Sequence, residues 1–187
     1  MNNKIIRVLL LAEGFYLFAG GLLGPIWAVY VEEIGGDILD ASGAFGAFML
    51  TAALVTYILG RIEDRNRYKA KFVVLGYLMG AAGFTGYLFV TNSLTLFGVQ
   101  AILGITVAVK DPAYDGLYSK FAKKHLTLAW GEWEAMDYLT AGLSAIIGGL
   151  IANYFGFRFL FYLMIAFSIL GLIMSFSLLH IRRLQKS

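Results

Sequence analysis

Ionisable side chains are expensive inside a long apolar run, so those that interrupt such runs are the first candidates for chemistry. Glu13 is the one acid in the apolar stretch that follows Arg7. Lys110 closes an otherwise uncharged stretch that begins near Leu94, and Asp111 and Asp115 follow it. Asp111 and Asp115 stand four apart on one helical face, as do Lys110 and Tyr114. Like charges at that spacing repel, and one of the two acids can hold a proton. Glu134 and Asp137, three apart, open another apolar run, where acids complement the positive end of a helix.

Three enzymatic readings fail on spacing or placement. Ser144, in Gly142-Leu143-Ser144-Ala145, has the look of a nucleophile, but the chain's two histidines, His125 and His180, lie in or beside charged segments outside the apolar runs. Asp115-Gly116 opens like an alcohol phosphotransferase motif, yet Ser119, Lys120 and Ala129 stand where further motif residues are needed, so the metal site cannot be built. No nucleotide-binding loop is present. The absence of cysteine excludes disulfides and thiolate metal sites. No catalytic residue, metal or cofactor is expected.

The elements that must position these residues are membrane spans. The chain is 59% hydrophobic and 14% charged, with a mean hydropathy of +0.74, against roughly 45–50% apolar and 25% charged in soluble domains. Crossing about 30 Å of hydrocarbon takes about 20 apolar residues. Six stretches qualify, near 8–31, 42–59, 72–90, 94–115, 133–155 and 157–179. The connections are short, so one all-α domain of six transmembrane helices is expected. The first stretch is too long for a signal peptide and lacks a small-residue cleavage site.

Lysine and arginine set the orientation. They cluster at Lys4 and Arg7, at Arg61, Arg65, Arg67, Lys69 and Lys71, at Lys120, Lys123 and Lys124, and at Arg182, Arg183 and Lys186. The opposite connections hold one basic residue, Arg158, and the first of them carries Glu32, Glu33, Asp37 and Asp40. Both termini should face the cytoplasm of a multi-pass protein of the cell membrane. The net charge of +3 gives no reason to expect nucleic acid as a partner.

Depth then relates the buried charges. Glu13 lies about 9 Å into the first span, and Lys110 about 24 Å into the fourth, which runs the other way. They should sit at similar depth in the cytoplasmic third and approach each other or share a water-filled cavity. At spacings of three and four, Glu13, Tyr16, Gly20, Gly24 and Trp27 form one lining face. Gln100, Gly104, Val107, Asp111 and Tyr114 form the facing one. Such a lining suits an amphipathic or aromatic solute better than a sugar.

The second span ends in Gly60-Arg61-Ile62-Glu63-Asp64-Arg65-Asn66-Arg67-Tyr68-Lys69. This resembles the signature of the major facilitator superfamily between its second and third helices, with Arg67 and Tyr68 replacing the usual glycine and arginine. Gly60, Asp64, Arg65 and Arg67 would then form the conformational gating motif, Gly60 permitting a tight helix exit and Asp64 docking on a neighbouring helix N-terminus. Gly24-Pro25-Ile26-Trp27 is similar to the end of the first helix of drug-efflux members. Gln100 stands where the family often has an arginine used in proton coupling. Thr140 to Gly149 resembles the antiporter motif, Ser144 and Ala145 replacing glycine and proline; Gly142, Ser144, Gly148 and Gly149 are expected to pack helices. Phe155-Gly156-Phe157-Arg158 is similar to the family's turn into helix six.

The resemblance implies a secondary transporter, and specifically one half of one, since the family's twelve helices are two parallel repeats. Two copies inserted the same way would complete it as a homodimer, with proton-coupled export of a small molecule through a path including Glu13, Tyr16, Trp27, Gln100, Lys110, Asp111, Tyr114 and Asp115. The alternatives are a structural or assembly role, pairing with a different half, and a fragment of a longer chain.

Overall fold

A computed structural model describes residues 4–64 and 68–180, without the side chains of 61–64. Among these residues every regular element is helical. The helices are α1 (Lys4–Gly21), α2 (Trp27–Glu33), α3 (Ile38–Asp64), α4 (Lys69–Gly86), α5 (Ser93–Ala122) and α6 (Leu126–Leu179). Among the described residues five segments are long and apolar enough to cross a membrane, α1 and α2 counting as one of them.

The 54 residues of α6 would reach about 81 Å if straight, far beyond one bilayer. Gly156 breaks the helix with φ 79° and ψ 167°, a region that only glycine enters without strain. The packing shows what the break does. Along the 126–155 leg, Met136 touches Gly14, Ser144 meets Gly21 and Gly148 meets Leu22, so this leg runs parallel to α1. Along the 157–179 leg, Phe157 and Phe161 meet Tyr30, Phe167 meets Phe18, and Gly171 meets Ala12, so this leg runs antiparallel to α1. The chain therefore reverses at Gly156, and α6 supplies two crossings, making six among the described residues.

Similar contacts order the rest. Gly86–Val99, Gly83–Leu103 and Gly116–Lys69 make α4 and α5 antiparallel, while Gly43–Phe97 and Gly104–Phe48 make α3 and α5 parallel. Lys4 and Leu179 consequently lie at one end of the bundle, together with Lys69, Lys71, Lys120, Lys123 and Lys124. Glu32, Glu33, Asp37 and Asp40 lie at the other.

Several boundaries differ from the apolar runs. The first run breaks after Gly21, with a 3-10 turn at Gly24–Ile26 before α2; Pro25 at the start of that turn supplies no amide hydrogen to a continuous helix. The second crossing, α3, starts at Ile38. Asp37 accepts from the amides of Leu39 and Asp40 at 2.8 and 3.0 Å, and Asp40 accepts from that of Asp37 at 3.1 Å, a reciprocal cap for otherwise orphan donors. Gly60 is no helix exit, because α3 continues to Asp64 with no left-handed residue at Gly60. The side chains of Asp64, Arg65 and Arg67 lie outside the described residues. The fifth crossing begins at Leu126, not Trp133, so Glu134 and Asp137 sit two to three turns inside it rather than at its N-terminus.

Small residues set the spacing. A Cβ on Gly148 would overlap the Leu22 carbonyl oxygen, and one on Gly104 the Phe48 carbonyl oxygen. Ser144 is buried against Gly21. Gly142 and Gly149 do not pack alongside them within the chain: among the described residues beyond their own helix turn, nothing lies within 4 Å of a Cβ placed on either. At 100° per residue they point away from the α1 contact.

Candidate functional site

α4 carries a glycine stripe at Gly76, Gly80, Gly83 and Gly86, and each receives a side chain: Lys110, Tyr16, Leu103 and Val99 respectively. A Cβ at Gly76 would overlap that of Lys110, and one at Gly80 would strike the Tyr16 ring. This stripe is what lets a lysine and a tyrosine from two other helices enter the same layer.

In that layer Glu13 and Lys110 meet. Lys110 Nζ lies 2.7 and 2.9 Å from the two Glu13 carboxylate oxygens and 2.7 Å from Asp111 Oδ1, so all three ammonium protons have acceptors. The Tyr77 hydroxyl donates to Glu13 Oε2 at 2.7 Å. The rings of Tyr16, Tyr77 and Tyr114 surround Nζ, with centroids at 5.0, 5.5 and 5.5 Å, within cation–π range. Glu13 and Lys110 are 4% and 2% exposed, so this is a desolvated, fully bonded pair and Lys110 does not snorkel. Leaving either charge without its partner at such a place is strongly unfavourable.

Beside this layer a cavity of about 590 Å³ opens, within the ~300–1,000 Å³ range of small-molecule sites. Tyr16 joins the two, its ring both lining the cavity and facing Nζ. Trp27, Gly20 and Gly24 line it from the first crossing, and Gln100 and Val107 from α5. Gln100 donates to the Tyr87 hydroxyl at 3.2 Å, and Trp27 Nε1 donates to the Ala41 carbonyl at 3.2 Å, which fixes both side chains.

The expected lining is otherwise redistributed. Gly104 packs on α3, and Leu103, one residue earlier, takes the lining position. Glu13 lies under the cavity in the ion pair. Tyr114 is buried behind Lys110, stacked on Tyr118. Asp111 reaches Lys110 with a half-exposed side chain, whereas Asp115 is exposed and outside the network. Charge-led reading missed three contributors. Tyr77 is flagged by its place in Gly76-Tyr77-Leu78-Met79-Gly80, between two close-packing glycines. Tyr87 carries no comparable signal. Asp137 lines the cavity, and the early start of its helix is what puts it there.

Comparison with known proteins agrees with this architecture. The chain is 28% identical over 157 residues to an uncharacterized MFS-type transporter of Methanocaldococcus jannaschii; the alignment takes in 83% of this chain and 40% of that protein. It is 24% identical over 147 residues to the uncharacterized MFS-type transporter YitZ of Bacillus subtilis, taking in 78% of this chain and 88% of that one. The chain thus spans less than half the length of the archaeal relative. The sequence model of the Major Facilitator Superfamily matches residues 9–187, and with six helical crossings in this order the chain belongs to that superfamily of membrane transporters.

Proposed function

We propose that the chain is a half-sized secondary transporter, a single six-crossing domain that works as a parallel homodimer and couples proton movement to export of an amphipathic or aromatic molecule. The cationic end of the bundle, with both chain ends, faces the cytoplasm of the cell membrane. The observation that carries this reading is an aromatic cavity floored by the buried Glu13–Lys110 pair, in a chain of a transporter family. A proton on Glu13 removes the charge that holds Lys110, and so loosens α1 from α5 beneath the cavity.

Pairing is supported by shape and by size. α3 packs along α5, and the 126–155 leg packs along α1. Between them the cavity is open, and both flanks are apolar and uncovered, as Leu50 at 74% and Ile146 at 66% exposure show. A second copy across the opening would close it with twofold symmetry. The archaeal relative matches over less than half its length, as expected if a full-length protein contains two such units.

Two experiments test this. In proteoliposomes with an imposed pH gradient, Glu13→Gln should abolish gradient-driven solute movement; full activity in that variant refutes the coupling role. Since the chain has no cysteine, a single cysteine at Ile146 should crosslink copies in membranes. Exclusively monomeric product from a transport-competent preparation refutes the homodimer.

A further inference from the structure

Glu13 is engaged by Lys110 and Tyr77 and does not line the cavity. The carboxylate that does is Asp137. Among the described residues no lysine or arginine lines the cavity, and none pairs with Asp137. Two other polar lining groups are already directed elsewhere: the Gln100 amide to Tyr87, and the Thr140 hydroxyl to the backbone carbonyl of Asp137. The walls are six aromatic rings, Tyr16, Trp27, Phe45, Phe48, Phe84 and Tyr87.

Asp137 is partly exposed and faces the cavity, where a carboxylate without a cationic partner in the protein attracts one from a ligand. Aromatic faces carry negative charge density and attract cations, most strongly when water is excluded. An anion meets repulsion from both features, and a polyhydroxylated solute finds few free partners. We propose that the cavity is a binding site for lipophilic organic cations, with the Asp137 carboxylate as the counter-ion and the aromatic walls holding the apolar groups. This rests on the transport reading for its biological sense, but not on Glu13 or on proton coupling.

The test uses the purified full chain in detergent, with tetraphenylphosphonium as the probe and tetraphenylborate as its anionic counterpart of similar shape. Wild type should bind the cation at least roughly tenfold more tightly than the anion. Asp137→Asn should weaken cation binding by roughly tenfold or more, and Asp137→Glu should retain it. Equal binding of the two ions, no cation binding, or an Asp137→Asn variant that binds like wild type overturns the proposal. A second measurement needs no variant. Saturating tetraphenylphosphonium should shield Asp137 of the wild-type chain from an apolar carbodiimide, read by peptide mass. Unchanged labelling also overturns the proposal. A chain that binds the cation through Asp137 yet moves nothing in liposomes refutes the transport reading alone.

Discussion

The Glu13–Lys110 pair predicts a particular pattern of stability when its members are removed singly and together. At the observed 2.7 Å and an effective dielectric of about 20, the gross attraction is about 6 kcal/mol. Desolvation offsets most of it, so the net worth of the pair is small while either charge alone is costly, by about 3–5 kcal/mol. The two singles should differ. Glu13→Gln leaves Lys110 with Asp111 and three tyrosine rings, whereas Lys110→Met leaves Glu13 with the Tyr77 hydroxyl alone. Lys110→Met should therefore fall at the upper end of that range and Glu13→Gln at the lower. For a chain of this length the range corresponds to roughly 6–20 °C in melting temperature. The double variant, with two neutral groups of similar shape, should return to within about 1 kcal/mol of wild type. Thermal unfolding in detergent, followed by the fluorescence of the three tryptophans, reads all four proteins without a thiol dye, for which the chain has no target. Single variants that shift by less than about 2 °C, or shifts that simply add in the double variant, would refute this account of the pair.

Other positions give sharper contrasts. Gly148→Ala should destabilise by about 1–3 kcal/mol, because the clash is with the Leu22 backbone, which cannot yield like a side chain. Gly142→Ala, with open space around it within one copy, should stay within about 0.5 kcal/mol for the monomeric protein in the same unfolding assay. Gly156→Ala forces a side chain into the region at φ 79° and should cost about 1–3 kcal/mol, lowering the yield of folded protein on gel filtration. Tyr77→Phe removes one hydrogen bond to a carboxylate and should lower stability by about 1.5–3 kcal/mol. Tetraphenylphosphonium binding should be unchanged in that variant, since Tyr77 does not line the cavity.

The crossings and the meeting of Glu13 with Lys110 were legible in the sequence, because bilayer thickness converts residue number into depth. Two residues counted from opposite faces arrive at one layer whatever the details of packing. Boundaries were less legible. Hydropathy marks where side chains prefer hydrocarbon, while backbone hydrogen bonding decides where a helix begins. Glu132, Glu134 and Asp137 cut the apolar run short, although the helix continues through them from Leu126. That displacement of one boundary turned Asp137 from a cavity residue into an apparent helix-end acid. Tyr77 was invisible to a search for charge, since its importance lies in the two glycines beside it and in which side chains they admit. Gly142 and Gly149 show the converse: composition marks small residues, but only the helix phase tells which of them touch a neighbour.

The single-residue link at Gly156 has a mechanical outcome. A joint with so little chain allows no slack, so the two rods it connects cannot slide far past each other. The first rod is wedged between them by Gly21, Gly148 and Gly171, and must travel with them as one three-rod wedge. Across from it stand α3 and α5, clasped through Gly104. Glu13 belongs to the first group and Lys110 to the second, so their pairing is a bolt driven across the seam between the two. It is not the sole fastening, since α4 packs on both α5 and α6, so drawing that bolt would ease the seam at the floor of the cavity while α4 keeps the two groups joined.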